Sequence, residues 1–252
     1  MLSKTKNKLQ QGLPVCGVTA ATSDPFLTEI IGGAGFDYVL VDMQHAPLDP
    51  NDLYERIKGL GRTDSDIIVR VVANKAWMIG QALDMGADGV IIPLVDNADE
   101  AKLAVKAAKY PPIGERSSGP RKTWRLGSDY MKKANDEIIV WPQIETKGAI
   151  DDIDAFLQVE GVDGIMIGPT DLALSLGFSQ DRWNDPKVEE TFQYILDKCK
   201  EHNVPWGMFS GITDGLKWVK RGGQIITAGF ELSYIQEGAS ADLNTFKSLI
   251  VP

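Results

Sequence analysis

Short apolar runs rich in β-branched residues alternate with amphipathic segments about eight times along this chain of 252 residues. Each run is too short for a helix and lacks the polar alternation of a half-exposed strand, which is typical of strands buried on both faces. Eight such strands alternating with helices predict a parallel sheet closed into a (β/α)8 barrel, the TIM barrel, as a single domain over residues 1–252. The predicted strands lie at 15–19, 38–41, 67–72, 89–93, 138–145, 165–167, 205–209 and 224–228.

The segments between the strands carry helix signals. Asp24 before Pro25 is typical of an N-cap followed by proline at the first helical position, and Gly61 and Gly86 mark helix ends. Residues 113–136 break the pattern, because they are polar and contain glycine and proline, and loops this long are usually functional or disordered. We predict helices at 25–34, 52–60, 75–85, 98–109, 148–159, 186–203 and 215–221, with one or two closing helices in 231–250.

A doubly wound open sheet would show the same alternation, so the two architectures must be separated by other signals. An open sheet that binds a dinucleotide places a glycine-rich phosphate turn after its first strand. Here residues 19–22 read Thr-Ala-Ala-Thr, and the glycines near position 33 end a predicted helix instead of starting one. The sequence therefore favours the barrel and does not predict a dinucleotide site or a Walker-type phosphate loop.

The composition argues against several classes of partner. The net charge of −9 and the lack of a basic stripe argue against binding to a nucleic-acid backbone. Cys16 and Cys199 lie far apart without metal-type spacing, so we expect free thiols of a cytosolic protein. No signal peptide is predicted at the N-terminus, and no apolar run reaches the roughly 18 residues of a membrane span. We therefore expect a cytoplasmic location and no membrane partner.

Charged and polar side chains accumulate at the carboxyl ends of the predicted strands, where barrel enzymes hold their active sites. Charges so near a core are costly unless they pair or hold a metal. Each residue also has a simpler interpretation: Arg70 pairs with Asp42, Glu145 caps the next helix, and Thr170 or Asp171 caps its own. The combination, more than any one residue, indicates an active site. Its members are Asp42 and His45 after the second strand, Arg70 after the third, Gln143 and Glu145 at the fifth, Asp171 after the sixth, Ser210 after the seventh and Thr227 in the eighth.

These residue types suggest a metal-dependent chemistry. Glu145 and Asp171 follow adjacent strands, so their carboxylates can converge on a Mg²⁺-like or Mn²⁺-like ion that keeps open positions for water or substrate. Such an ion can chelate a 2-oxo acid and act as a Lewis acid. Arg70 supplies a second cation for the developing enolate oxygen. His45, oriented by Asp42 three residues earlier, would form a general acid/base pair.

A Schiff-base aldolase is the competing interpretation, and it needs a lysine that projects from a barrel strand. No lysine lies within the sixth strand, and Lys75 and Lys147 both fall beyond the ends of their strands. The other histidine, His202, is expected to be a helix-terminal or surface residue. The residues therefore favour the metal-dependent route.

Five segments together resemble the HpcH/HpaI aldolase family, the metal-dependent class II pyruvate aldolases, and especially its 4-hydroxy-2-oxoheptanedioate and hydroxy-ketoacid aldolase branch. The similarity extends over roughly residues 17–209 and is specific in combination. The segments are 41–47 (Val-Asp-Met-Gln-His-Ala-Pro), 69–70 (Val-Arg), 110–116 (Tyr-Pro-Pro-Ile-Gly-Glu-Arg), 143–146 (Gln-Ile-Glu-Thr) and 161–177.

The resemblance implies a role for each matching residue. The metal would be a divalent ion, Mg²⁺ or Mn²⁺, with Co²⁺ as a further candidate. It also implies a TIM barrel whose last helix is exchanged between subunits of a homo-oligomer, usually a hexamer built as a trimer of dimers. The implied roles are metal ligation by Glu145 and Asp171, contact with the keto oxygen by Arg70, acid/base catalysis by His45 with Asp42, and pyruvate binding by Gln143 and the backbone N–H groups of Gly168 and Thr170.

The expected activity is reversible cleavage of a 4-hydroxy-2-oxo acid to pyruvate and an aldehyde. Two departures leave the acceptor aldehyde open: many family members have Asp-Gly-Glu-His where residues 42–45 read Asp-Met-Gln-His, and residues 117–122, expected to close over the aldehyde, differ from the family's Gly-Val-Gly type. One alternative is an acyl-CoA lyase of the citryl- or malyl-CoA type, for which the basic segment 116–133 would bind the CoA phosphates. A non-catalytic barrel that serves in assembly is the other.

Overall fold

The computed structural model describes residues 3–119, 124, 127, 129–179 and 185–250. Eight parallel strands form a closed barrel in chain order, and the last strand pairs with the first. This confirms the predicted (β/α)8 barrel, and every predicted strand is present within a few residues of its expected bounds. The strands are β1 (Val15–Ala20), β2 (Tyr38–Asp42), β3 (Asp66–Arg70), β4 (Gly89–Ile92), β5 (Ile139–Ile144), β6 (Ile165–Ile167), β7 (Trp206–Phe209) and β8 (Ile225–Phe230).

Helices between successive strands form the outer layer, one further helix precedes β1, and another follows β8. They are α1 (Lys4–Gln10), α2 (Pro25–Gly33), α3 (Pro50–Leu60), α4 (Ala76–Met85), α5 (Ala98–Ala108), α6 (Asp129–Glu137), α7 (Lys147–Asp151), α8 (Ile153–Leu157), α9 (Pro169–Ser175), α10 (Pro186–Glu201), α11 (Gly211–Val219) and α12 (Glu231–Ile250). In the described part of the chain, no helix is both long and apolar enough to cross a bilayer.

The core has two layers because each strand is apolar on both faces. In β2, Val39 and Val41 belong to the layer between strands and helices, whereas Tyr38 and Leu40 belong to the cluster inside the barrel. All four are fully buried, and burial of each such side chain contributes about 1.5–3 kcal/mol. Inside the barrel the ring of Tyr38 meets that of Trp141 edge to face, with centroids 5.5 Å apart.

The N-terminal helix α1 was not predicted from the sequence, because tertiary contacts rather than local periodicity hold it. Lys6 forms an ion pair with Asp163 at 2.8 Å and donates to the carbonyl of Ile138 at 3.2 Å. Leu9 is buried in the cluster inside the barrel. Helix α1 therefore packs at the end of the barrel opposite the carboxyl ends of the strands.

The structure corrects three of the predicted helices and the predicted loop. The helix expected at 148–159 is two short helices, since Asp152 leaves the helical conformation between them and its carboxylate accepts the N–H of Ala98 at 2.7 Å. Helix α3 begins at Pro50, where Asp49 and Asp52 form a capping box. Helix α11 begins earlier than expected. Part of the polar segment 113–136 is helix α6. Residues 120–123, 125, 126 and 128 of that segment lie outside the described residues.

Helix α12 is a single helix that buries little of its own surface. Among its residues only Glu231 is buried, and apolar side chains such as Leu243, Phe246 and Leu249 are exposed. This confirms a closing helix in the tail. Its exchange between subunits and the hexamer remain predictions.

Candidate active site

Asp42 and Arg70 form the first half of the site, at the carboxyl ends of two neighbouring strands. The two residues are partners in the parallel register of β2 and β3. The guanidinium donates from Nε to Oδ1 of Asp42 at 2.8 Å and from Nη2 to Oδ2 at 2.5 Å. Burial would raise the pKa of Asp42, but the hydrogen bonds and charge of Arg70 outweigh it and lower the pKa. Such a two-pronged charged pair fixes both side chains.

Arg70 has a second fixed contact that the sequence did not reveal. Its guanidinium carbon lies 5.0 Å from the ring centroid of Phe209, at the end of β7, in a cation–π arrangement. Nε and Nη2 are taken by Asp42, so Nη1 is the guanidinium nitrogen outside that pair. The arrangement leaves a rigid cation with one N–H-bearing corner available at the mouth of the barrel.

His45 is exposed in the turn after β2, and the side chain of Asp42 accepts hydrogen bonds from the backbone of this turn. Oδ1 of Asp42 accepts the N–H of Gln44 at 3.0 Å and that of His45 at 3.4 Å. Among the residues that the structure describes, no hydrogen bond joins Asp42 to the imidazole. The simpler interpretation, in which Asp42 pairs with Arg70, is thus the observed arrangement, and the acid/base pairing of Asp42 with the imidazole remains a prediction.

Glu145 forms the second half of the site and is only 2% exposed, one residue beyond β5. Oε1 accepts the backbone N–H of Leu94 at 2.6 Å, and Oε2 accepts Nε2 of Gln143 at 2.7 Å. Burial raises the pKa of Glu145 to about 7, and the negative charge of Asp171 adds to the rise. One donor on each oxygen holds the carboxylate in place and leaves each oxygen a free lone pair.

Gly168 makes room for this carboxylate. It follows β6 at a φ of −91°, which any residue adopts, so space rather than conformation requires glycine. A Cβ at this position would collide with Oε2 of Glu145. The N–H of Gly168 donates to the carbonyl of Ile144 at 3.3 Å, within the sheet. The predicted contact of this N–H with a pyruvate carboxylate would therefore compete with an existing hydrogen bond.

Asp171 lies in the first turn of α9 and is exposed. The expectation that Thr170 or Asp171 caps this helix through its side chain is wrong, because Gly168 is the N-cap and no side chain caps it. Pro169 at the first helical position has no N–H, so Thr170 carries the first free amide of the helix. The negative charge of Asp171 acts on Glu145, and the amide of Thr170 stands at the start of the same helix.

The residues fit a hard divalent cation. Glu145 and Asp171 would supply carboxylate oxygens, and Oε1 of Gln143 is buried with no hydrogen-bond partner among the described residues. Oxygen-rich donors with open coordination positions suit Mg²⁺ and Mn²⁺. The described residues contain no cluster of three or more His, Cys, Asp or Glu side chains that would enclose a metal by themselves, so substrate or water would complete the shell.

Three other residues considered from the sequence lie outside this arrangement. Thr227 is buried and its hydroxyl lies 3.1 Å from that of Tyr38, inside the barrel. Ser210 is the N-cap of α11 but makes no capping hydrogen bond. His202 contacts Asp154 at 2.8 Å on the surface, as expected for a helix-terminal residue.

Leu94 and Phe209 are the contributors that sequence reasoning missed. Phe209 ends a predicted strand, so its position was a signal, but its contact with Arg70 requires the barrel to close. Leu94 acts through its backbone, which has no sequence signature beyond its place after the fourth strand.

Comparison with known proteins shows the family of the chain. The family model described as HpcH/HpaI aldolase/citrate lyase matches residues 16–237. A 2-keto-3-deoxy-L-rhamnonate aldolase of Salmonella gallinarum is 30% identical over 250 residues, covering 97% of this chain and 93% of that protein.

Two solved structures extend the comparison. A HpcH/HpaI aldolase/citrate lyase family protein from Burkholderia cenocepacia superposes with a TM-score of 0.91 at 28% identity, covering 97% of this chain and 99% of that one. The citrate synthase SbnG superposes with a TM-score of 0.86 at 32% identity, covering 96% and 97%. The chain therefore belongs to the HpcH/HpaI aldolase/citrate lyase family of carbon–carbon lyases.

Proposed function

We propose that the protein is a divalent-metal-dependent aldolase that reversibly cleaves a 4-hydroxy-2-oxo acid to pyruvate and an aldehyde. The observation that carries the proposal is that a fixed, buried carboxylate, Glu145, and a fixed cation, Arg70, lie at the same end of the barrel. Family membership and the relatives named as 2-keto-3-deoxy-L-rhamnonate aldolases support it.

Glu145 and Asp171 would hold the metal, with Gln143 beside them. When bound, a divalent ion supplies Lewis-acid polarisation of the 2-oxo group. Glu145 suits this role because Leu94 and Gln143 already fix its orientation, so little rearrangement is needed on binding. Which of Mg²⁺, Mn²⁺ and Co²⁺ serves best is to be found by comparing activity with each.

Arg70 would bind the oxygen of the 2-oxo group and stabilise it as it becomes an enolate. A donor that is held in place before the reaction is more effective than one that must reorient. Asp42 and Phe209 provide that constraint and leave Nη1 to face the substrate. In this proposal Asp42 is first of all the residue that positions Arg70.

His45 would move the proton in the cleavage direction. Its imidazole takes the proton of the C4 hydroxyl, the C4 oxygen forms the aldehyde carbonyl, and the electron pair of the C3–C4 bond passes into the pyruvate enolate. Protonation at C3 then gives pyruvate. Asp42 supports this step through the backbone N–H of His45, which keeps the turn in place.

The direct test is cleavage of a panel of 4-hydroxy-2-oxo acids with pyruvate and aldehyde both measured. We expect equal amounts of the two products, loss of activity with EDTA and recovery with Mg²⁺ or Mn²⁺. Activity that survives EDTA but is lost on borohydride treatment with substrate would show a lysine Schiff base and contradict the proposal. Exclusive turnover of acyl-CoA substrates, or of acetyl-CoA with oxaloacetate, would assign the protein to the citrate-forming or citrate-cleaving members instead.

Replacing Gly168 by Ala should weaken divalent-metal binding about tenfold or more, as loss of the groups around a ligand typically does. The reason is steric, because the added Cβ displaces the carboxylate of Glu145. Calorimetric titration with Mn²⁺ measures the change. Gly80→Ala is the matched control, since a Cβ there meets no atom within 4 Å. Equal Mn²⁺ affinity in both variants would contradict the role given to Gly168.

We further propose that α12 packs against another copy of the chain, in keeping with a homohexamer. Its exposed Leu243, Phe246 and Leu249 supply an apolar face that the described residues of this chain do not cover. Light scattering of the full chain should give a mass of several subunits, and Phe246→Glu should reduce it. A monomer at micromolar concentration would contradict this assembly.

A further inference from the structure

Leu94 stands in a backbone conformation that a leucine rarely adopts. Its φ is +53°, in the left-handed region, where a side chain that begins with a Cβ crowds the following carbonyl. Among the described residues other than glycine, only Asn203 shares a positive φ, and asparagine tolerates this region. Strain of this kind concentrates at functional sites, where the surrounding structure holds it.

The strained backbone donates a hydrogen bond to Glu145. Residue 94 follows β4, and from this conformation its N–H reaches Oε1 of Glu145 at 2.6 Å. The neighbours Pro93 and Val95 are both buried and anchor the turn on either side. The backbone role explains the conformation of residue 94 but does not explain its side chain, since glycine or asparagine would offer the same N–H with less strain.

The side chain itself gains little from packing against the described part of the chain. Leu94 is 57% exposed, although both flanking residues are buried. It lies at the carboxyl end of the barrel, one hydrogen bond away from the carboxylate that would hold the metal. A ligand that enters the mouth of the barrel would cover an apolar group at this place, and burial of such a group favours an apolar occupant.

We propose that Leu94 is a specificity-determining residue whose side chain contacts the aldehyde-derived part of the substrate and favours aldehydes with an apolar carbon chain. The proposal rests on the proposed aldolase function. Beyond that function, Leu94 is the residue that contacts the acceptor aldehyde, and apolar aldehydes are the class that it favours. Pyruvate binding is left to the metal site and Arg70, so the two ends of the substrate are recognised by different groups.

The experiment compares Leu94→Asn with the native protein in aldol addition of pyruvate to propanal and to glycolaldehyde. Asparagine is close to leucine in shape and accepts a left-handed backbone, so it keeps the N–H and changes the polarity of the side chain. We expect the ratio of kcat/KM for propanal to that for glycolaldehyde to fall about tenfold or more, the range that contacts with a small apolar group provide. The melting temperature should stay the same or rise.

Three further variants keep the test decisive. Leu94→Gly removes the side chain and should lower the propanal rate without raising that of glycolaldehyde, whereas Leu94→Met should retain the native ratio. Leu103→Asn is the matched control, because Leu103 is 60% exposed on α5 and lies outside the site. A ratio that stays within twofold in Leu94→Asn and Leu94→Gly overturns the proposal. So does a changed ratio in Leu103→Asn, or a change of subunit assembly in the Leu94 variants without a change of ratio.

Failure of the proposed function would look different. Exchange of the pyruvate methyl protons involves no aldehyde, so a native protein without exchange contradicts the aldolase itself. A native protein that exchanges these protons while its Leu94 variants keep the native aldehyde ratio contradicts only the role of Leu94.

Discussion

Replacement of Arg70 by Lys should lower kcat/KM for aldol cleavage about 100- to 1,000-fold, the cost that is typical of losing one fixed donor to a developing oxyanion. Lysine keeps the positive charge but cannot form the two-pronged pair with Asp42 and still present a donor to the substrate. The native guanidinium does both, because Nε and Nη2 bind Asp42 while Nη1 stays outside the pair. Steady-state kinetics of cleavage measure the loss.

Arg62→Lys is the control for this substitution. Arg62 contacts Glu29 at 3.4 Å on the surface and belongs to no part of the site. We expect native kinetics from this variant, since exposed pairs contribute little. An Arg70→Lys protein that keeps more than a third of the native kcat/KM would contradict the role assigned to the fixed guanidinium.

Replacement of Glu145 by Gln should abolish divalent-metal binding and aldol activity while it stabilises the metal-free protein at high pH. Burial raises the pKa of Glu145 to about 7, above its usual value near 4.5. A raised pKa means that stability present below pH 4.5 is lost as the pH rises through about 7, because the buried carboxylate must then ionise. The cost to the metal-free native protein above pH 8 is on the order of 3 kcal/mol, and glutamine avoids it.

Urea unfolding from pH 5 to 9, with and without Mn²⁺, measures this effect. The metal-free native protein should lose stability relative to Glu145→Gln as the pH rises, and Mn²⁺ should restore stability to the native protein but not to Glu145→Gln. Glu55→Gln, at an exposed pair with Lys58, should follow the native protein throughout. Parallel curves for native protein and Glu145→Gln would contradict the description of Glu145 as a buried group that needs a cation.

Much of the fold was predictable because strands buried on both faces leave continuous apolar runs, as residues 38–41 and 67–69 do. The site was predictable where function depends on position along a strand. Asp42, Arg70 and Glu145 stand at or just beyond strand ends, and closure of the barrel brings those ends to one face. Their positions at the strand ends were thus enough to group them.

The remaining features depend on contacts between distant segments. Helix α1 is held by the ion pair of Lys6 with Asp163, which no local pattern reveals. The register of β2 and β3 places Asp42 opposite Arg70, so its carboxylate pairs with that guanidinium and not with the imidazole of His45. The N–H of Leu94 donates to Glu145 from a left-handed backbone, and a leucine in the sequence does not predict that conformation.

Exchange of the methyl protons of pyruvate in D2O, followed by NMR, tests the central claim most directly because it isolates enolate formation from the aldehyde. We expect exchange by the native protein with Mn²⁺ or Mg²⁺, none after EDTA, and a loss of exchange in Arg70→Ala and Glu145→Ala. Undiminished exchange in these two variants, or no exchange by the metal-loaded native protein, would contradict it.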